Sequence, residues 1–104
     1  MCTVIFRPHT YTRTESLWDG FVRSLSLADF SVLVDIYPAR ETPIPGITSQ
    51  RLALAIGERS RYLPMDAVVD YVISQTDGAI ILMGAGDVEK IKNSFLESDK
   101  FKEI

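Results

Sequence analysis

His9 and Arg13 are the residues whose types and setting best suit chemistry. They lie in Phe6-Arg7-Pro8-His9-Thr10-Tyr11-Thr12-Arg13-Thr14, between an apolar run and an amphipathic one. His9, the only histidine, can donate a hydrogen bond to a substrate or act as a general acid or base near neutral pH. It can equally be a loop histidine bonded to neighbouring backbone. Arg13 is expected in the first turn of a helix, where free N–H groups and the helix dipole favour anions. A guanidinium there can grip a carboxylate or phosphate through two parallel hydrogen bonds. The plainer reading of Arg13 is a solvated surface arginine.

Two elements must position this segment. Thr3-Val4-Ile5-Phe6 reads as a short buried strand, and Pro8 ends its ladder because proline has no N–H to donate. Leu17, Trp18, Phe21, Val22 and Leu25 then return to one helical face. Thr12 followed by Glu15 fits a capping box, which predicts a helix from Arg13.

Further along, Phe30–Ile36 reads as a second strand, apolar enough to be covered on both faces. A loop runs from Tyr37 to Gly46, and Thr48 or Ser49 can cap a helix that buries Leu52, Ala53, Ala55 and Ile56. A short strand is expected at Arg61–Leu63, a helix over Met65–Gln75 and a strand over Ala79–Met83. Gly84-Ala85-Gly86-Asp87 leads into a last helix carrying Val88, Ile91, Phe95 and Leu96. Alternating strands and helices predict one α/β domain over residues 1–104, three-layered, with a mostly parallel sheet and helices on both faces. The segments after the strands should meet at one sheet edge: Arg7 to Arg13, Tyr37 to Glu41, and Gly84 to Asp87.

Composition narrows the function. The chain has 104 residues, and its net charge of −3 with no basic stripe argues against a nucleic-acid surface. One cysteine and one histidine argue against a structural zinc site. No apolar run approaches the ~20 residues of a membrane helix, and no signal peptide is visible, so the expected location is cytoplasmic. Asp35, Arg40 and Glu41 are either polar site groups or an internal ion pair. The Gly84–Asp87 loop lacks the lysine of a P-loop and the further glycine of a dinucleotide fingerprint, and its glycines are equally explained by a tight turn. No activated nucleophile, catalytic residue or metal cluster can be assembled.

Taken together, three segments resemble the C-terminal domain of a Mur ligase, nearest to the members that join L-alanine to UDP-N-acetylmuramate. The family segment F-Q-P-H-R-Y-T-R-T stands against Phe6–Thr14. Asp35-Ile36-Tyr37-Pro38-Ala39-Arg40-Glu41, continuing through Pro43-Ile44-Pro45-Gly46 and Ser49, is the second match, and Gly84-Ala85-Gly86-Asp87 the third. The resemblance implies a Rossmann-like fold and an ATP-dependent ligase of peptidoglycan synthesis, in which alanine attacks an acyl phosphate. It places His9, Thr12 and Arg13, with Arg7, at the amino-acid site, and Tyr37, Arg40, Glu41, Gly84, Gly86 and Asp87 along the cleft. ATP and magnesium would be held mainly by a central domain outside this chain, so the isolated chain is expected to be inactive. Thr10 stands where the family has arginine and Arg7 where it has glutamine. One cationic contact is then lost unless Arg7 reaches the same anion. The family domain also begins with a further strand and helix, so an open sheet edge and self-association through it are expected. Two alternatives stay open, a stand-alone small-anion-binding or regulatory domain and a Mur ligase for another amino acid.

Overall fold

The computed structural model describes residues 2–75, 78–84 and 90–93. Four strands form one sheet: β1 (Cys2–Arg7), β2 (Phe30–Leu33), β3 (Ser60–Tyr62) and β4 (Ala79–Gly84). Their order is β3-β2-β1-β4, and each neighbouring pair is parallel. The helices are α1 (Tyr11–Ser16), α2 (Trp18–Leu25), α3 (Ser49–Ile56) and α4 (Val68–Gln75), and residues 90–93 are also helical.

Alternation along β1 sends its side chains into two separate cores. Ile5 joins Val32, Val34, Val68, Val72 and Ile91 on one face. Val4 and Phe6 join Leu25, Leu33, Leu52 and Ala53 on the other. Helices therefore cover both faces, and the α/β expectation of a three-layer parallel sheet holds. Phe21 packs its ring on Phe6 at 5.0 Å and anchors α2 to β1.

Several boundaries differ from the expectation. β2 stops at Leu33, although Val34 and Ile36 stay buried. Val34 N–H still bonds Phe6, but its carbonyl accepts from the buried Ser49 hydroxyl at the start of α3, which takes the chain out of the ladder. Thr48 is the cap of α3, accepting from the Arg51 amide. Ala55 is exposed rather than buried, because the inward stripe of α3 is Leu52 and Ala53 with Ile56 partly covered. The helix expected from Met65 begins at Val68, after a turn in which Ala67 N–H bonds the Pro64 carbonyl. Of the last helix, Ile91 is buried, and Val88, Phe95 and Leu96 lie outside the described residues.

Among the described strands β4 lies at the edge, and Ile81 and Met83 are 45% exposed on the face that β1 fills with Val4 and Phe6. Among the described residues, no helix is long and apolar enough to cross a membrane.

Candidate functional site

Because all four strands run one way, their C-terminal ends share an edge. Arg7 closes β1 and pairs in register with Gly84 at the end of β4. Beyond Arg7 the ladder resumes for one step: Tyr37 N–H bonds the Pro8 carbonyl at 2.8 Å, and Thr10 N–H bonds the Tyr37 carbonyl at 2.8 Å. The His9 ring stacks on Tyr37, with centroids 5.7 Å apart and planes 20° apart, and Arg7 lies 5.2 Å from the Tyr37 ring centre. Tyr37 thus joins the loop after β2 to the segment after β1 by backbone and side chain together. His9 Nδ1 is buried and has no hydrogen-bond partner among the described residues. That nitrogen thus makes no bond to neighbouring backbone among the described residues.

The turn into α1 is made by Thr10. Its φ of 62° and ψ of 152° lie in a region that essentially only glycine occupies without strain. Its hydroxyl accepts from Arg13 N–H at 3.2 Å, and its carbonyl accepts the Thr14 hydroxyl at 2.6 Å. Thr10, not Thr12, is the cap, and α1 starts at Tyr11 rather than Arg13.

The acidic partner of this helix start is Glu41, about thirty residues downstream. Its Oε1 accepts from Tyr11 N–H at 2.7 Å and Thr12 N–H at 3.0 Å, and its Oε2 accepts the Thr12 hydroxyl at 2.6 Å. The Thr12 hydroxyl and amide hold this carboxyl below its ordinary range; burial opposes them, and the Tyr11 amide and the nearby His9 add to the lowering. Two corrections follow. Helix amides expected to greet an incoming anion are already bonded within the chain, so Arg13 would meet a ligand through its guanidinium alone. Arg40 does not make the internal ion pair, since Glu41 is bonded to Tyr11 and Thr12 and Asp35 accepts the Tyr62 hydroxyl at 2.6 Å. That contact, then burial and the charges of Asp35 and Asp66, push the Tyr62 phenol up to about 12.

Glu41 stabilises the fold only while ionised. A carboxyl whose folded pKa is depressed contributes stability above its unfolded value and loses it as pH falls through the folded one. Glu41→Gln should therefore melt below the wild type at neutral pH, with the gap closing as pH drops below 4.5. Thermal melts from about pH 7 to pH 3 check this, and a gap of constant size across that range would contradict it.

Arg7, Arg13, Thr12, His9, Tyr37, Arg40, Glu41 and Gly84 thus gather at one edge. Gly86 and Asp87 lie outside the described residues. Arg13 and Arg40 are exposed, and neither guanidinium has a hydrogen-bond or ion-pair partner among the described residues. Arg7 stands over Tyr37, with its Nε and Nη1 buried. Two shallow grooves flank α3, one beside Trp18, Ile47 and Leu54 and one beside Leu54, Gly57 and Tyr62, and neither contains the residues above.

Gly84 has a φ of 129°, and a Cβ there would fall 2.2 Å from the Arg7 carbonyl oxygen. This glycine is required by the close approach of β4 to β1, which explains it without a phosphate. Among the described residues, no group of three or more His, Cys, Asp or Glu could hold a metal ion.

No protein-family model matches the chain. Curated relatives match most of its length. It is 42% identical over 89 residues to the UDP-N-acetylmuramate–L-alanine ligase of Phocaeicola vulgatus, covering 84% of this chain and 19% of the relative. The ligase of the same name from Desulfatibacillum aliphaticivorans is 40% identical over 103 residues, covering 91% and 22%. That of Legionella pneumophila strain Philadelphia 1 is 43% identical over 101 residues, covering 90% and 21%. The chain thus matches, along most of its own length, a domain-sized part of the UDP-N-acetylmuramate–L-alanine ligases. It spans about one fifth of the length of the relatives it matches.

Proposed function

We propose that this chain is the C-terminal, amino-acid-binding domain of an ATP-dependent UDP-N-acetylmuramate–L-alanine ligase of peptidoglycan synthesis, and that it helps to close the active site. The observation that carries this reading is the identity of about 40% to ligases of that name along most of the chain. The exposed Arg13 guanidinium, in the first turn of the helix after β1 at the C-terminal edge of a parallel sheet, supports the assignment of a role within it. In this reading Arg13 holds the alanine carboxylate and His9 donates to the same substrate. Thr10 and Glu41 fix the helix that carries Arg13, and Tyr37 fixes His9. These residues bind and orient.

ATP and magnesium belong to the proposed reaction, but the described residues here do not fit them. No acidic cluster is present among these residues for the metal, and Gly84 is occupied by the Arg7 backbone. Both are assigned to other parts of the ligase. The purified 104-residue chain should accordingly turn over no ATP above a heat-killed control; ADP release by it would contradict this division of labour.

The test of the function uses the intact ligase carrying this chain. ADP release should require UDP-N-acetylmuramate and L-alanine together. Release that proceeds without an amino acid, or that prefers glycine or serine, would overturn the reading.

A further inference from the structure

The pairing between β1 and the chain after β2 changes register once. Phe6 faces Leu33, yet three residues on from Phe6, His9 faces Tyr37, which is four residues on from Leu33. In an unbroken parallel ladder Ile36 would stand opposite His9. One extra residue therefore lies between Val34 and Tyr37, which makes a β-bulge, a feature that bends a strand and re-aims the side chains after it. Here Ile36 stays buried and Tyr37 comes beside His9, with the two rings stacked.

The hydrogen bonds supply the cause. Val34 N–H bonds the Phe6 carbonyl at 3.1 Å, so the next rung would run from the N–H of residue 8 to the Val34 carbonyl. Residue 8 is proline and has no N–H to give. Val34 is fully buried, and an unpaired carbonyl there would cost as much as a lost hydrogen bond. The Ser49 hydroxyl donates to it instead. Ser49 is itself 2% exposed, at the start of α3, whose Leu52 and Ala53 are set in the core. Pairing resumes at Tyr37, through its bonds to Pro8 and Thr10. We infer that Ser49 is a positioning residue for His9. By serving the carbonyl that Pro8 cannot, it holds the bulge and so seats the Tyr37 ring against the imidazole. Only the consequence of this for alanine rests on the proposed function.

Nuclear magnetic resonance on the 104-residue chain tests the role of Ser49. It follows the ring contacts of His9 with Tyr37 and the hydrogen-exchange rates of the Tyr37 and Thr10 amides. Ser49→Ala should abolish those ring contacts and raise both rates about tenfold, the equivalent of one buried hydrogen bond. Ser49→Thr, which keeps the hydroxyl, should restore both. Ser49→Cys, a weaker donor of similar size, should fall between them and gives the same reading should the alanine variant not fold. Ile56→Ala is the control for lost stability alone, since it removes apolar contact from the same helix and leaves the Val34 carbonyl served. It should lower the melting temperature and change neither signal. Ring contacts and exchange rates that survive Ser49→Ala or Ser49→Cys, or that are lost equally in Ile56→Ala, would overturn the role of Ser49. In the intact ligase Ser49→Ala should also raise the Michaelis constant for L-alanine severalfold, with little change in that for ATP. Lost ring contacts with an unchanged alanine constant would support the bulge and sink the proposed role of His9 instead.

Discussion

Arg13→Ala should raise the Michaelis constant for L-alanine about tenfold in the intact ligase, while the constants for ATP and UDP-N-acetylmuramate change little. A hydrogen bond to a charged group contributes about 1.5–3 kcal/mol, and ~1.4 kcal/mol corresponds to one decade. The lower end applies because the amides of Tyr11 and Thr12 are committed to Glu41 and that of Arg13 to Thr10. An incoming carboxylate therefore gains the guanidinium without oriented helix donors, and Arg13 is itself exposed. Arg13→Lys should recover only part of the loss, since an ammonium keeps the charge without the planar fork. Steady-state kinetics with each substrate varied in turn provide the check. An unchanged alanine constant in a normally folded variant would remove Arg13 from the site.

Gly84→Ala should be the most damaging single-methyl change in the described sheet. The added Cβ would overlap the Arg7 carbonyl oxygen at 2.2 Å, and alanine at a φ of 129° is strained whatever the space. Overpacking and backbone strain together give about 2–5 kcal/mol of destabilisation. For a domain of this size that is a fall of roughly 10–30 °C in melting temperature. Gly20→Ala is the matched control: a Cβ there meets nothing within 4 Å inside α2, so the variant should melt slightly above the wild type. Thermal melts of the two variants side by side decide the matter. A Gly84→Ala protein that melts like the wild type would mean that β4 does not approach β1 so closely.

Much of the fold is legible in the residues themselves. Apolar runs at Thr3–Phe6 and Ala79–Met83 mark β1 and β4, and helical spacing marks most inward residues of α2, α3 and α4, with Leu17 and Ala55 exposed instead. Parallel topology then brings the segments after β1 and β2 to one edge with Gly84, the end of β4, without any knowledge of side-chain contacts. Local pattern fails where a distant residue decides. Thr12 with Glu15 looks like a capping box, but the carboxylate that bonds the first amides of α1 comes from Glu41, which no local window contains. Thr10 is equally able to cap, and its Gly-like backbone conformation follows from the Tyr37 bridge rather than from its type. β2 ends early because the Ser49 hydroxyl takes a strand carbonyl from outside the strand. The ring that meets Arg7 is likewise delivered by another loop, at Tyr37, and no local window shows that contact.

The central claim, that Arg13 receives the carboxylate of the incoming amino acid, has a direct measurement. L-alanine and L-alaninamide can be titrated calorimetrically into the intact ligase, already loaded with UDP-N-acetylmuramate and a non-hydrolysable ATP analogue. The two ligands share an amino group and differ in the carboxylate. Wild-type protein should bind L-alanine about tenfold more tightly than the amide, by the same charge-assisted contact of ~1.4 kcal/mol. Arg13→Ala should bind the two alike. Equal discrimination by wild type and Arg13→Ala would contradict the assignment.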